Sequence, residues 1–400
     1  MRPIRYGMVG GGPGAFIGAV HRMAAALDGS YELVAGAFSS DVSKSRQTGE
    51  ELALDPGRVY ETFRDMASAE ASRDDGIDVA VIVTPNHLHY PAARAFLEAG
   101  IHVICDKPLV TTTDDADALC ALVSQKGLVF AVTYNYTGYP MVKEARDRIR
   151  AGELGELRKV VVEYSQGWLR TLLEAEGQKQ AEWRGDPNRA GLSSALGDIG
   201  THAYNLLHYV TGLEARRLFA DLGTVVEGRA MEDDATVLLD LDGDVRGVMI
   251  VSQIATGERN HLRLRVYGSE KALDWCQEDP NRLRILATDG AETVLFRGGE
   301  VGGAADAATR LPGGHPEGFI EAFANIYRGA AEAIRRNSST FGGRSDPGEV
   351  DPRAVDFPTV EDGMLGVYFV HRAIQSSLAE RWIDMNDGSA KPDTTHEHLE

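Results

Sequence analysis

The chain is 400 residues long, with 43% hydrophobic and 25% charged residues, the balance of a globular protein with enough material for two cores. Its 41 basic and 60 acidic residues give 41 − 60 = −19, a field that repels phosphate backbones and excludes nucleic acid as the expected partner. No apolar run approaches the roughly 20 residues needed to cross a bilayer, so no membrane partner is expected either.

Residues 1–6 run directly into a strand-like pattern, without the basic region, long apolar stretch and small-residue cleavage site of an export signal, so a cytoplasmic location is expected. Cys105, Cys120 and Cys276 are scattered and odd in number, which reads as buried thiols and not as a metal or redox motif.

Residues 5–9 read as a short buried strand and residues 15–27 as the helix that follows a glycine turn. Gly10 and Gly12 permit the tight turn and the close approach of backbone to a pyrophosphate, whose charge then rests on the free amides of the helix start. The third small position lies either at Ala15, the usual spacing, or at Gly18. Further strands are expected at residues 32–38, 79–83, 101–104 and 128–132, with helices near 43–54 and 91–99. Strand and helix alternating at this rhythm mean parallel crossover units.

After the second strand, where an NAD site usually carries Asp or Glu, stand Phe38, Ser39, Ser40 and Asp41. Either Asp41 reaches the ribose or the two serines accept the phosphate of NADP, so the sequence leaves NAD and NADP open. Thr84, Pro85, Asn86, His87 and His89 follow the third strand, where strand ends face the crevice. Asn86 or His87 is placed for the nicotinamide ribose, or Asn86 simply closes a turn. The next strand ends in Cys105-Asp106-Lys107-Pro108, putting an ammonium within reach of both a cofactor ribose and a substrate hydroxyl. That points to redox chemistry.

Strand patterns at 156–164, 235–241, 247–251 and 262–267 follow without regular intervening helices and imply an antiparallel or mixed sheet. Gly197-Asp198-Ile199-Gly200-Thr201-His202 opens a helix toward residue 210; four residues apart, Asp198 and His202 share one helical face. The plain alternative is a capping Asp with a surface His. An alcohol releases hydride only as its oxygen loses a proton, and histidine, with an ordinary pKa of about 6.5, suits that transfer. His202 is therefore the expected acid/base, Lys107 the group that polarises the reacting oxygen, and Asp198 the group that fixes a hydroxyl or orients its neighbours. A wall of Tyr136, Trp168, Arg170, Trp183, Arg184, Asp198, His202 and His315, the last on the turn-rich loop 310–318, would suit a polyhydroxylated ring. Residues 319–335 read as an amphipathic helix, 337–351 as a polar linker, 364–378 as a helix and 382–383 as a short strand.

The glycine turn, Thr84-Pro85-Asn86-His87-Leu88-His89, Asp106-Lys107-Pro108 and the motif from Gly197 to His202, in that order, resemble the glucose–fructose oxidoreductase, inositol dehydrogenase and rhizopine-catabolism (Gfo/Idh/MocA) family. The resemblance implies an α/β fold: an N-terminal Rossmann domain with a doubly wound parallel sheet, residues 1–133, and a C-terminal α+β domain with a large mixed or antiparallel sheet, residues 134–385. A flexible tail, 386–400, would follow. It implies NAD or NADP held by Gly10, Gly12, Pro13, Gly14, Ala15, Phe16, Ser39, Ser40, Thr84, Pro85, Asn86, His87, His89, Asp106 and Lys107. It also implies the same roles for Lys107, Asp198 and His202, a sugar or polyol substrate, and a homodimer or homotetramer built on the sheet. Two departures stand out: Asp106 replaces the usual Glu, and Asn205 stands where an Asp often follows the histidine. The expected reaction is dehydrogenation of a secondary hydroxyl. Redox-neutral glycoside cleavage by transient oxidation, or a non-catalytic nucleotide- or sugar-binding role, are the alternatives on the same fold.

Overall fold

The computed structural model describes residues 2–177, 187–337 and 355–386. Trp183 and Arg184, most of the expected linker and almost all of the expected tail lie outside the described residues.

Five parallel strands, β1 (Ile4–Gly10), β2 (Tyr31–Ala37), β3 (Val79–Val83), β4 (His102–Cys105) and β5 (Phe130–Val132), pair in the order β2-β1-β3-β4-β5. Every residue of β3 is buried, as a strand covered on both faces requires. Strand order reverses between β1 and β3, so the loops after these strands splay apart into a crevice. The helices are α1 (Phe16–Leu27), α2 (Val42–Glu51), α3 (Phe63–Ala71), α4 (His89–Glu98) and α5 (Thr113–Lys126). Sequence periodicity did not single out α3 and α5, yet each has a local start signal. The hydroxyls of Thr62 and Thr112 accept from the amides of Asp65 and Asp115.

After helix α6 (Pro140–Arg150), nine strands form a mixed sheet: β6 (Leu157–Ser165), β7 (Ala215–Gly223), β8 (Asp234–Leu241), β9 (Arg246–Ser252), β10 (His261–Gly268), β11 (Lys271–Cys276), β12 (Arg282–Ala287), β13 (Glu292–Phe296) and β14 (Ile383–Asp384). Their order is β13-β12-β11-β10-β6-β9-β8-β7-β14, with only β6 and β9 parallel. Alternation is clear in β10, where Leu262, Leu264 and Val266 are buried while Arg263 and Arg265 face outward. α6, the helix Thr201–Thr211 and part of the helix Val360–Ala379 cover the inner face.

Chain order and packing diverge at the end. The helix Phe319–Asn337 lies against the five-stranded sheet, burying Phe323, Ile326, Ala330 and Ile334 with Ile4, Met8, Val79 and Val81. Val360 and Val367 join the core on the other side of that sheet, whereas Phe369 and Ala373 of the same helix join the core under the nine strands. That helix, started by a capping box of Thr359 and Asp362, ties the two cores together. Of the three free cysteines Cys105 is buried, while Cys120 and Cys276 are only partly so. No described helix is long and apolar enough to cross a membrane.

Because Ile326 is fully buried against the first sheet, Ile326→Ala is expected to destabilise the protein by about 2–5 kcal/mol in chemical denaturation. A change within about 0.5 kcal/mol would contradict this packing.

Candidate active site

The crevice between β1 and β3 continues into a cavity of about 1330 Å³ that reaches the inner end of the nine-stranded sheet. Its first part is a backbone cradle. A Cβ on Gly10 would stand 2.8 Å from the carbonyl oxygen of Val83, and one on Gly12 2.8 Å from that of Phe38. Gly18 resolves the third position: a Cβ there would lie 2.4 Å from the Cα of Gly11, so the missing side chain lets α1 sit directly on the turn. Ala15, at the helix start, gives no side-chain cap, which leaves the first amides of α1 for an anion. This arrangement fits a dinucleotide pyrophosphate.

Gly10, Gly12, Pro13, Ala15, Phe16, Ser39, Ser40, Thr84, Pro85, Asn86, His87, Asp106 and Lys107 all line the cavity. Gly14, in a left-handed conformation at φ +74°, shapes the turn from outside the wall. Asp41 is also off the wall; its carboxylate caps α2 by accepting from the amides of Ser43 and Lys44. Two cations share this wall with the serines: Lys44, four residues beyond Ser40, and Arg64, which is distant in sequence. Asn86 neither closes its own turn nor stands free: its Nδ2 donates to the carbonyl of Ala190, 2.9 Å away.

His89 was expected among the cofactor ligands, but it is buried off the wall. The carbonyls of Pro108 and Thr84 lie 2.8 and 2.9 Å from its ring nitrogens, and burial holds its pKa below the ordinary value. It therefore spaces the lysine turn from the Thr84 loop. Asp106 works similarly from the wall, its Oδ1 accepting from the Lys107 amide at 2.8 Å and from the Thr133 hydroxyl at 3.0 Å. The Lys107–Pro108 peptide bond is cis.

Lys107 Nζ donates to both the main-chain oxygen and Oδ1 of Asp198, each at 2.6 Å. The motif of Asp198 begins as a π-helical turn, Leu196–Gly200, and becomes α-helical at Thr201–Thr211. Such a wide turn is a recurrent feature of functional sites. Its start is anchored by the buried carboxylate of Glu232, which accepts from the Ser193 hydroxyl and the amides of Ser194 and Leu196.

His202 lines the same cavity, with its ring centroid 4.7 Å from that of Tyr136. Its Nδ1 is buried with no hydrogen-bond partner among the described residues. Burial, reinforced by the nearby Lys107 ammonium and partly offset by Asp198, pushes its pKa well below 6.5. The ring is thus neutral at neutral pH and able to accept a proton.

Tyr136 and Trp168 line the cavity, as does Arg189, while Arg170 is exposed and donates to the carbonyl of Gly167. His315 also lies off the cavity. The buried Arg297 guanidinium holds its loop, donating to the carbonyls of Leu311 and His315 and to Glu317, and His315 itself stays exposed. Turn-forming residues there serve a structural clamp. Sequence reasoning missed Tyr164, Gln166, Asn260 and Gln277, which complete the wall. Tyr164 donates to Asn260 Oδ1 at 2.8 Å and Gln166 Nε2 to the same oxygen at 2.7 Å. Each lies in or just beyond a strand end, so only the strand order could have brought them together. Asn205 is buried and off the wall.

Residues 4–134 match the family described as "Oxidoreductase family, NAD-binding Rossmann fold", and residues 142–274 match "GFO/IDH/MocA C-terminal domain". The chain belongs to the Gfo/Idh/MocA oxidoreductase family. It is 35% identical over 383 residues to the uncharacterized oxidoreductase YfiI of Bacillus subtilis, covering 94% of this chain and 95% of that one. An oxidoreductase from Sinorhizobium meliloti superposes with a TM-score of 0.84 at 45% identity over 96% of this chain and 100% of that one. An inositol dehydrogenase homolog from Azotobacter vinelandii, solved with NADH and myo-inositol, superposes with a TM-score of 0.86 at 35% identity over 96% and 98%. As a member of this family the protein is an NAD(P)-dependent oxidoreductase.

Because Gly18 packs on Gly11, Gly18→Ala is expected to weaken coenzyme binding about tenfold or more, from an overpacking cost of about 1–3 kcal/mol. Fluorescence titration with NAD and NADP measures it, and unchanged affinity would contradict this role for the glycine.

Proposed function

We propose that this oxidoreductase transfers hydride between a secondary hydroxyl of a cyclic polyol, sugar or sugar derivative and the nicotinamide, with Lys107, Asp198 and His202 as the working residues. The observation that carries this reading is the 2.6 Å contact of Lys107 with Asp198, on a wall shared with a neutral His202 at the end of a dinucleotide crevice. The complex of the Azotobacter relative with NADH and myo-inositol makes cyclic polyols the first class to test.

The nicotinamide, when bound, supplies the hydride acceptor. The protein supplies the rest. Nδ1 of His202 is enclosed, which leaves Nε2 to take the hydroxyl proton as the carbinol oxygen becomes a carbonyl. The Lys107 ammonium, held by two acceptors of Asp198, directs positive charge at that oxygen as charge develops on it. Tyr136, Gln166, Asn260 and Gln277 offer amide and phenol groups to the remaining hydroxyls. The reaction also runs in reverse, the imidazolium then returning the proton to a ketone.

The outer face of the large sheet supports assembly as a homodimer or homotetramer. Val161, Val248 and Leu238 stand side by side across β6, β9 and β8 on the face opposite the core. Light scattering should show a multimer that Leu238→Asp weakens; a wild-type monomer would refute this part.

Lys107→Ala and His202→Ala are each expected to lower kcat by at least about 100-fold, measured as coenzyme reduction with inositols, aldoses and anhydrosugars, with little change in melting temperature for His202→Ala and a lowered one for Lys107→Ala, which leaves Asp198 without its cation. Near-wild-type turnover would remove the residue from the mechanism. Because the His202 pKa lies below 6.5, kcat/KM for oxidation should fall only on the acid side of that value, as the ring gains a proton. A plateau beginning above pH 7 would contradict a depressed histidine.

A further inference from the structure

Gln253 stands immediately after β9 and is fully buried. Its backbone is fixed on both sides, its amide donating to the carbonyl of Asp233 and its carbonyl accepting from the amide of Leu169. It is not on the cavity wall. Its Nε2 donates to Oδ2 of Asp198 at 3.0 Å, the carboxylate oxygen opposite the one that Lys107 holds. Its own Oε1 is buried with no partner among the described residues. A buried amide with an unpaired oxygen is unfavourable, and an apolar side chain of similar size would fill the space without that cost. The NH₂ group is therefore the part of Gln253 that matters.

We propose that Gln253 is a positioning residue of the catalytic lysine, acting through Asp198. This rests on the roles assigned above to Lys107 and Asp198. Lys107 Nζ bridges Oδ1 of this carboxylate and the main-chain oxygen of Asp198, so rotation about the Cβ–Cγ bond would pull the ammonium off its line between the two. The Gln253 donor on Oδ2 opposes that rotation and so helps to set the direction of Lys107 Nζ. The same amide lies 3.5 Å from Gln166 Oε1, and Gln166 donates to Asn260, which donates to the Tyr136 hydroxyl. Gln253 thus connects the lysine to the wall expected to receive the substrate ring. A buried network of this kind acts as a unit, so loosening one member displaces the others.

Two variants test the proposal. Gln253→Leu removes the donor while keeping bulk, and is expected to lower kcat about 100-fold with the coenzyme Kd and melting temperature nearly unchanged. Gln253→Glu supplies a donor only while protonated. The groups that titrate around it are Asp198, Lys107, His202, Tyr136 and Tyr164, with the Asp233–Arg229 pair behind its backbone. Two carboxylates at this distance share a proton at low pH and repel when both are charged. The ratio of Gln253→Glu to wild-type kcat should therefore fall as pH rises from about 6 to about 9, which a merely structural role would not produce. A flat ratio together with near-wild-type turnover of Gln253→Leu would overturn the proposal. If the wild type oxidises no polyol, the functional reading fails, and crystal structures of the two proteins decide this point separately. A rotated Asp198 carboxylate with a displaced Lys107 in Gln253→Leu supports positioning; unchanged atoms overturn it.

Discussion

The ion pair between Lys107 and Asp198 is the constraint on which the site depends, because its two halves come from different sheets. Lys107 stands at the end of β4 in the parallel sheet, and Asp198 on the π-helical turn that leads into the helix over the mixed sheet. Both side chains are mostly shielded from water, with exposures of 14% and 16%. In such surroundings a lone charge is far more costly than a pair. The contact therefore fixes where the two domains must meet as much as it prepares a catalytic group.

The surrounding structure holds each half in place. Asp106 receives the Lys107 amide and the Thr133 hydroxyl, and His89 fills the space behind the lysine turn. On the other side Glu232 anchors the start of the π-helical turn and Gln253 donates to Oδ2 of the Asp198 carboxylate. The helix Val360–Ala379 contributes to the cores under both sheets, and the stacked rings of Tyr204 and Phe369, 4.3 Å apart, join it to the helix that carries His202. Rigid elements on both flanks are what a preorganised site requires.

Much of this was legible in the sequence because the signals are local. A glycine turn between an apolar strand and a helix, or Asp and His four residues apart after a glycine, needs no knowledge of distant residues. The strands from β1 to β5 and five strands of the large sheet, β6, β8, β9, β10 and the short β14, carry patterns of the same local kind. By contrast, β11 to β13 are short and carry charged residues such as Asp274, Arg284 and Glu292, whose ion pairs become visible only when the strands are adjacent. Gln166, Gln253, Asn260 and Gln277 look like any polar residues at strand ends until the sheet order brings them to one place. The loop around His315 shows the converse: its turn residues wrap the Arg297–Glu317 clamp, and His315 lies off the cavity wall. Helix Phe319–Asn337 follows the second domain in sequence but packs on the first, which periodicity cannot reveal.

The central claim is that His202 takes the proton of a hydroxyl polarised by Lys107 while hydride leaves the carbon that bears it. It is tested most directly by incubating the protein with oxidised coenzyme and a cyclic polyol bearing deuterium at the carbinol carbon. The account predicts deuterium at C4 of the reduced nicotinamide, seen by NMR, with a primary isotope effect on the single-turnover rate that persists, at a much lower rate, in His202→Ala. Coenzyme recovered without deuterium after the polyol has been consumed would contradict it.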